Sequence, residues 1–420
     1  MINLLFLQIS VFFSRDTNLE TIILNAIDNA QKTIDISIYS FWGSPTADNI
    51  KNAIINAKNR GIRIRIIAEN YIANSNSNSY PYISQIINSG IPVLFDSTTN
   101  IGYGCQYNSG YLNHQKFIVI DSQIVILGSF NLTYNALNVD ANDLVIINDK
   151  NFANRFIKEF EMIWGGNGNI PNTSHCKFQN YKSNLGNNTF YYNTPIVDSM
   201  KVFFSPTGNT YNVLASLISK AQSSIYIALS KFTLCNYRDS LYPKKNFSYF
   251  VVDYGTWNDK PAMNIRGLNI TPDPYCTNFP WQPPGNILLD NVPNNGLLHY
   301  KFAVFDRYIV LTGSMNWTFS GAYRNDEVVL VIYSNYIANK YFNEFSKRWQ
   351  EAGGQSNTKE YINIKDGNLV IKNYKGSIEI YSIDGKLIRK VLINNDFQIK
   401  LQKGIYIVKA EKLRKFIVVP

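Results

Sequence analysis

The chain has 420 residues, of which 45% are hydrophobic and 17% charged, as expected of a globular protein with two or three domains. No apolar run is long enough to cross a bilayer, and the nearest to one, residues 2–13, lacks the basic leader and cleavage site of a secretory signal. The net charge is +10, but residues 361–420 contribute +7 of it, so the remaining +3 does not indicate that the rest of the chain binds a polyanion.

The segment 1–170 alternates strand and helix patterns, which is typical of an α/β domain. Residues 19–30 carry apolar side chains at helical spacing behind a cap at Thr17 or Asn18, and residues 152–164 predict a closing helix. Short apolar or alternating runs predict strands over 11–13, 33–41, 62–68, 91–95, 117–120, 124–127 and 144–147, with further helices over 48–59 and 82–88.

One pattern occurs twice with identical internal spacing, and it contains two of the three histidines. Its members are His114, Lys116, Asp121, Ser129 and Asn131 in the first copy and His299, Lys301, Asp306, Ser314 and Asn316 in the second. The surrounding residues predict a two-stranded hairpin, and alternate residues of a strand share a face. Each copy therefore places an imidazole beside an ammonium group, a combination that suits a phosphate.

A single His-x-Lys on a strand usually marks a solvent-exposed face, but two complete copies favour catalysis over a purely structural repeat. Two imidazoles on opposite sides of one phosphorus allow a phosphodiester to be cleaved in two displacements. The non-bridging oxygens are expected to bind the motif lysines and asparagines, so the scheme requires no metal or other cofactor. We expect Asp121 and Asp306 to stabilise the hairpins and the motif geometry rather than to react.

The second copy lies within residues 200–352, after an Asn-rich connector at 171–199. The two closing helices are separated along the chain by the same offset as the two motif histidines. Internal duplication of this kind predicts that both motifs meet at one cleft across a pseudo-two-fold axis. The helix and strand at 48–68 have no clear counterpart, and the aromatic-rich residues 235–286 stand in their place as a substrate lid, a lipid contact or a structural insertion.

Four cysteines occur, and none has the Cys-x-x-Cys spacing of a metal site. One of their three pairings, Cys105 with Cys176 and Cys235 with Cys276, stays within each half, and free buried thiols are the alternative. Nothing else in the sequence indicates a metal site.

The segment 361–420 differs in composition from the rest of the chain and follows a linker at 353–360. Asp384-Gly385 and Lys403-Gly404 predict tight turns, so this segment is predicted to form a small antiparallel β-sandwich. Its strands are expected over 369–373, 377–382, 387–393, 397–401, 405–410 and 416–419.

The two complete motifs resemble the HKD motifs of the phospholipase D superfamily, and the resemblance extends over roughly residues 10–352. It implies two pseudo-symmetric α-β-α domains with one shared active site, in which His114 is the nucleophile and His299 the proton donor. It also implies that the motif serines and a downstream carboxylate orient the histidines. Glu327 fits this role in the second half, whereas the nearest match in the first half, Asp143, is one residue out of register.

The activity that this resemblance implies is metal-independent hydrolysis of phospholipid headgroups through a phosphohistidine. A nuclease of the same superfamily is the alternative, and a catalytically silent binding module is a third interpretation. The tail resembles the sorting domain of bacterial type IX secretion, with a non-sorting adhesion module as the alternative. This second resemblance implies a secreted or cell-surface protein whose tail contacts the secretion machinery. The expected partner of the catalytic halves is a phospholipid substrate or membrane surface, with nucleic acid as the alternative substrate, and the chain is expected to be a monomer.

Overall fold

The computed structural model describes residues 9–186, 189–354, 362–365, 368–371, 376–393, 397–410 and 413–419. Most of the predicted linker, residues 355–360, lies outside the described residues, as do positions 372–373 of one predicted tail strand and residues 2–8 of the first apolar run. The described part is a mixed α/β fold with two large mixed sheets, followed by smaller sheets in the tail.

The first half contains ten strands and five α-helices among its described residues. They are β1 (Ile9–Phe13), α1 (Leu19–Asp28), β2 (Thr33–Ile38), β3 (Phe41–Trp42), α2 (Thr46–Asn59), β4 (Arg63–Ala68), α3 (Tyr80–Asn88), β5 (Val93–Phe95), β6 (Tyr103–Gly104), β7 (Phe117–Ile120), β8 (Ile124–Gly128), β9 (Leu132–Thr133), α4 (Tyr134–Asn138), β10 (Asp143–Asn148) and α5 (Lys150–Trp164). The Asn18 side chain accepts the Thr21 N–H and caps α1, and Gly165 ends α5 in the left-handed conformation that glycine adopts freely.

The second half contains the corresponding elements and an insertion. They are β11 (Thr189–Tyr191), β12 (Ser199–Ser205), α6 (Thr210–Lys220), β13 (Ile225–Leu229), α7 (Cys235–Leu241), β14 (Ser248–Val252), α8 (Tyr254–Trp257), α9 (Lys260–Ile265), β15 (Asn286–Leu289), β16 (Lys301–Phe305), β17 (Ile309–Gly313), α10 (Phe319–Tyr323), β18 (Glu327–Tyr333) and α11 (Asn335–Glu351).

The two large sheets share an order of corresponding strands. The first runs β1-β10-β8-β7-β2-β4-β5-β6, and the second runs β11-β12-β18-β17-β16-β13-β14-β15. The stretch β12-β18-β17-β16-β13-β14-β15 therefore corresponds, strand by strand, to β1-β10-β8-β7-β2-β4-β5. The prediction that residues 48–68 have no counterpart is wrong, because β14 pairs in parallel with β13 as β4 does with β2. The counterpart escaped the sequence comparison because α7 has 7 residues where α2 has 14, and because β14 precedes a long insertion.

A single apolar core lies between the two halves and fixes how they meet. It includes Phe117 and Phe156 from the first half with Phe204 and Tyr341 from the second. The rings of Phe156 and Phe204 have centroids 5.2 Å apart across this boundary. Burial of so many apolar side chains is the dominant stabilising term in such an interface. The ends of the central strands of both sheets are thereby held against each other.

The structure contains two disulfides, one in each half of the chain. Their pairing is the within-half arrangement, one of the three that the sequence allows. Cys105 bonds Cys176 with 5.9 Å between Cα atoms, and Cys235 bonds Cys276 with 5.3 Å. The first attaches the connector to the segment after β6, and the second attaches the insertion to α7.

The tail forms two antiparallel sheets, one of three strands and one of four, among its described residues. Its strands are β19 (Ile362–Lys365), β20 (Asn368–Ile371), β21 (Gly376–Ser382), β22 (Leu387–Ile393), β23 (Phe397–Lys400), β24 (Gly404–Ala410) and β25 (Leu413–Val419). Strand β19 was not predicted. None of the helices within the described ranges has the length and apolar character that a membrane span requires.

Candidate active site

Each motif histidine is anchored by a backbone hydrogen bond to the opposite half. The His114 N–H donates to the Asp326 carbonyl at 2.9 Å, and the His299 N–H donates to the Ala141 carbonyl at 2.9 Å. Each bond belongs to a short parallel bridge. One bridge joins Asn113, just before the first motif, to Asp326, just before β18, and the other joins Leu298, just before the second motif, to Ala141, which precedes β10. The two motifs are therefore built into one site at the boundary between the halves.

The motif aspartates lie at the far ends of the hairpins. Asp121 and Asp306 have positive φ angles of 53° and 51° in the turns that follow β7 and β16. The Asp121 carboxylate accepts the backbone N–H groups of residues 31–33, and that of Asp306 accepts those of residues 222–224. These bonds attach each hairpin to the start of the neighbouring strand, which is a structural contact away from the histidine rings.

The His114 ring is held by a carboxylate from the other half. Its Nδ1 lies 2.8 Å from Glu327 Oε2, and the Ser314 hydroxyl donates to the same oxygen at 2.6 Å. Glu327 is fully buried, and this burial raises the pKa of its carboxyl to about 8. Burial, followed by the charges of Lys116 and Lys301, lowers the pKa of His114. Glu327 thus contacts both the motif serine of its own half and the motif histidine of the other half.

The His299 ring is held by an amide. Its Nδ1 lies 2.8 Å from Asn142 Oδ1, which also accepts the Ser129 hydroxyl at 2.9 Å. The Asn142 Nδ2 donates to the Ala136 carbonyl at 2.9 Å, and this fixes which side of the amide faces the histidine. The sequence-based reasoning missed Asn142. The signal was available, because Asn142 follows Ser129 at the same spacing at which Glu327 follows Ser314.

The expectation that Asp143 orients a histidine does not match its contacts. Its carboxylate accepts the hydroxyls of Thr312 and Tyr341, the latter at 2.6 Å, and the Ser129 N–H at 3.2 Å. Successive residues of a strand point to opposite sides, so a shift of one position sends this side chain away from His299. Asp143 is fully buried at the boundary between the halves, where it joins first-half and second-half strands.

The motif lysines lie beside the histidines. Lys116 Nζ donates to the His114 carbonyl at 2.9 Å, and Lys301 Nζ donates to the His299 carbonyl at 2.7 Å. Burial lowers the pKa of Lys301 to about 7 and that of Lys116 well below its usual value. After burial, the two ammonium charges are the next causes that lower the pKa of both histidines. These mutual effects place the four side chains within electrostatic range of one another.

The motif asparagines follow the second strand of each hairpin and are half-buried. Asn131 lines a small gap together with Lys116 and Tyr39. The Tyr39 ring also contacts the His114 ring, with centroids 4.7 Å apart. Asn316 occupies the equivalent position after β17. Since each histidine uses Nδ1 for its orienting partner, Nε2 is the ring nitrogen available to a substrate.

The surroundings of the site differ in polarity. Leu112 and Leu297 precede the two histidines by two positions, and they are 38% and 48% exposed. A cavity of about 450 Å³ lies beside the first half and is lined mainly by neutral polar side chains and two tyrosines. One of them, Tyr71, contacts Tyr39, with ring centroids 6.0 Å apart. No cluster of His, Cys, Asp or Glu among the described residues is suited to hold a metal ion.

Comparison with known proteins identifies a family for this chain. The family described as cardiolipin synthase, PLD-like domain, matches residues 23–164 and 279–349, about half of the chain and both motifs. The mitochondrial cardiolipin hydrolase of Xenopus tropicalis is 29% identical over 136 residues, which are 32% of this chain and 56% of that protein. A phospholipase D of Rickettsia felis is 27% identical over 153 residues, covering 36% of this chain and 68% of that protein.

The alignments with the cardiolipin hydrolases cover about half the length of those relatives. The solved structure of phosphatidylserine synthase from Haemophilus influenzae Rd KW20 superimposes with a TM-score of 0.57 over 82% of this chain and 86% of that chain. Its 15% sequence identity indicates a shared fold. The predicted enzyme class, a phosphoric diester hydrolase, agrees with the names of the matched relatives.

Proposed function

Because the chain belongs to the phospholipase D-like family, we propose that it hydrolyses phospholipid headgroup phosphodiesters through a phosphohistidine intermediate. The observation that carries this proposal is the arrangement of His114 and His299. Each is anchored to the opposite half, and each keeps Nε2 for a substrate because Nδ1 is bound to Glu327 or Asn142. The duplicated sheets are then related by a pseudo-two-fold axis that passes through one shared site.

The reaction proceeds in two displacements at phosphorus. One imidazole Nε2 attacks phosphorus and forms an N–P bond, the bond to the leaving oxygen breaks, and the other imidazolium gives that oxygen its proton. Water then attacks phosphorus, passes a proton to the second imidazole and breaks the N–P bond. Lys116 and Lys301, with the motif asparagines, bind the non-bridging oxygens and neutralise their charge. The products are a phosphomonoester and an alcohol.

The surface near the site supports a lipid substrate over a nucleic acid. Leu112 and Leu297 expose apolar side chains close to the histidines, as suits contact with acyl chains or a bilayer surface. Outside the basic tail the net charge is only +3, which offers little attraction for a polynucleotide. Several matched relatives carry the name cardiolipin hydrolase.

The activity is tested by incubating the protein separately with vesicles of phosphatidylcholine, vesicles containing cardiolipin, and single-stranded DNA. We expect phosphatidic acid to form in the vesicles, with choline released from those of phosphatidylcholine, and the DNA to stay intact. His114→Asn and His299→Asn should each abolish turnover. His175→Asn, which changes the remaining and exposed histidine, is the matched control and should leave the rate unchanged. DNA cleavage without lipid hydrolysis would replace this proposal with a nuclease.

The apolar contact has its own test. Replacing both Leu112 and Leu297 by serine should lower the rate on vesicles at least tenfold, because the site then loses its apolar contact with the lipid. The rate on the soluble diester bis(p-nitrophenyl) phosphate should change less than twofold. An equal loss on both substrates would show that the leucines support the site itself.

The region outside the catalytic halves is proposed to direct export. The proposed domains are residues 1–170 and 200–352, with a connector at 171–199, a linker at 353–360 and a sorting β-sandwich at 361–420. Two disulfides support an oxidising compartment, where such bonds persist. Production behind a cleavable secretory signal, in a bacterium with type IX secretion, should place the protein at the cell surface or in the medium. Retention of that protein in the periplasm would refute this part of the proposal.

A further inference from the structure

The cavity beside the first half has walls of one chemical kind. Its volume of about 450 Å³ lies within the range that small-molecule sites occupy. Its polar lining consists of three asparagines, two tyrosines, two threonines and a serine, and none of the described residues that line it is charged. A phosphate or a quaternary ammonium group would therefore meet no opposite charge there, whereas an uncharged polar ligand would meet amides and hydroxyls.

The cavity lies at the same edge of the first sheet as the first motif. Strands β2, β4 and β5 are parallel neighbours that end in register at Ile38, Ala68 and Phe95. Strand β7, which Lys116 directly precedes, pairs with β2 in the antiparallel sense, so its beginning lies at this edge as well. The cavity is built from the residues that follow β4 and β5. In open α/β sheets, ligand sites lie at the carboxyl ends of parallel strands.

Two tyrosine rings connect this cavity with His114. The centroid of the Tyr39 ring lies 4.7 Å from that of His114 and 6.0 Å from that of Tyr71. Tyr71 lines the cavity and is 42% exposed. Lys116 Nζ lies 4.9 Å from the centre of the Tyr39 ring. A group attached to a phosphate at the motif can therefore reach the cavity past the edge of Tyr39.

Two buried carboxyl groups fix the cavity wall relative to the motif. Asp96 accepts the Asn70 N–H at 2.7 Å and the Asn113 N–H at 3.2 Å. Glu69 accepts the Asn113 N–H at 2.7 Å, and Asn113 directly precedes His114. Burial, followed by the charge of Asp96, raises the pKa of Glu69, so the pair holds a proton at neutral pH and does not present two negative charges to a ligand.

We propose that this cavity binds a cyclic polyol headgroup, of which inositol is the example, while the attached phosphodiester lies at the motif histidines. This inference rests on the proposed function and names the substrate class of that site. Each hydroxyl of a polyol both donates and accepts, and side-chain amides and hydroxyls offer both roles in return. A tyrosine ring such as that of Tyr71 offers an apolar face to the C–H groups of a cyclic polyol and keeps a polar tip.

Several lining side chains have hydrogen-bonding groups that are free for such a ligand. The side-chain amides of Asn70 and Asn100 and the hydroxyl of Ser75 have no hydrogen-bond partner among the described residues. Asn74 and Thr99 differ, because each side chain accepts the backbone N–H two residues further on. One set of polar groups therefore holds the loops in shape, and the other set remains available to a polyol.

The test is a competition among headgroups within one vesicle population. Vesicles with equal amounts of phosphatidylinositol, phosphatidylglycerol and phosphatidylcholine are incubated with the protein, and the released inositol, glycerol and choline are measured. We expect inositol to be released at least tenfold faster than choline, and faster than glycerol. Phosphatidylinositol and phosphatidylglycerol carry the same charge and share one surface, so a preference between them comes from headgroup shape. Release of choline or glycerol as fast as inositol would overturn the inference.

A double substitution tests whether the cavity causes the preference. Asn70→Ala combined with Asn100→Ala removes two free amides and should lower the ratio of inositol to choline release at least fivefold, because hydroxyls of the ligand are then left unpaired. Asn52→Ala combined with Asn59→Ala removes two exposed amides from α2 of the same half. This matched control should leave the ratio unchanged. An unchanged ratio in the cavity variant would refute the assignment.

Binding of free myo-inositol separates this inference from the proposed function, because it requires no turnover. Saturation-transfer NMR should detect myo-inositol on the wild type and a weaker signal on the variant with Asn70→Ala and Asn100→Ala. Bound myo-inositol without turnover of any phosphodiester would refute the function and support the cavity. Turnover with neither a headgroup preference nor bound myo-inositol would refute the cavity alone. If the double substitution prevents folding, the wild-type rates and the myo-inositol signal remain decisive.

Discussion

Asp143 is expected to stabilise the boundary between the halves, although it is adjacent in sequence to the amide that orients His299. Its buried carboxylate accepts the Tyr341 hydroxyl at 2.6 Å, the Thr312 hydroxyl and the Ser129 N–H at 3.2 Å. Hydrogen bonds to charged groups contribute about 1.5–3 kcal/mol each. Asp143→Asn leaves one oxygen to accept, so one or two of these bonds are lost, and we expect a destabilisation of about 2–5 kcal/mol.

The assay for this substitution is urea unfolding of the full chain, compared with the activity of the folded variant. Asp28→Asn is the matched control, because Asp28 is exposed at the end of α1. It should change the free energy of unfolding by less than about 0.5 kcal/mol. An Asp143→Asn variant that keeps its stability but shifts the pH profile of kcat would refute the structural role and return Asp143 to the site.

Three further predictions concern charge, disulfides and metal ions. Because burial lowers the pKa of Lys301 to about 7, its ammonium charge is lost as the pH rises above 7, so kcat/KM should fall there. Lys301→Arg stays charged and should move that fall upward by more than one pH unit. An unchanged pH profile of kcat/KM in this variant would contradict the prediction. Reduction of the bond between Cys105 and Cys176, or the double substitution Cys105→Ser with Cys176→Ser, should destabilise the chain by roughly 4 kcal/mol for a loop of this length. The loss is measured as a lower denaturation midpoint, and an unchanged midpoint would count against that bond. A chelator should leave lipid hydrolysis unchanged, and loss of activity restored by an added divalent ion would contradict the proposed mechanism.

Much of the fold could be predicted from local patterns. The hairpins that carry the motifs have strong apolar runs and fixed turns, and β22 has the bounds that its pattern predicts. Strand ends elsewhere often differ by one or two positions, and the strand predicted over 33–41 is divided into β2 and β3, which belong to different sheets. The counterpart of α2 and β4 in the second half was hidden because its shorter helix and long insertion removed the repeat spacing on which sequence comparison depends.

The active site shows what local reasoning leaves out. The bond between His114 and Glu327 joins residues 213 positions apart, and it depends on the way in which the two halves pack. Asn142 was missed for a different reason, because a carboxylate was favoured over strict spacing. Asp143 has the expected charge at a position that faces away. Spacing is the stronger guide on a strand, because a shift of one residue reverses the side-chain direction.

Identification of the phosphorylated residue tests the proposed reaction at its first covalent step. A substrate labelled at phosphorus is mixed with the protein, the reaction is stopped in alkali within one turnover, and peptides are examined for phosphohistidine. We expect label on Nε2 of His114 in the wild type and none in His114→Asn. Label on His299, or steady turnover with no labelled histidine, would contradict the proposed mechanism.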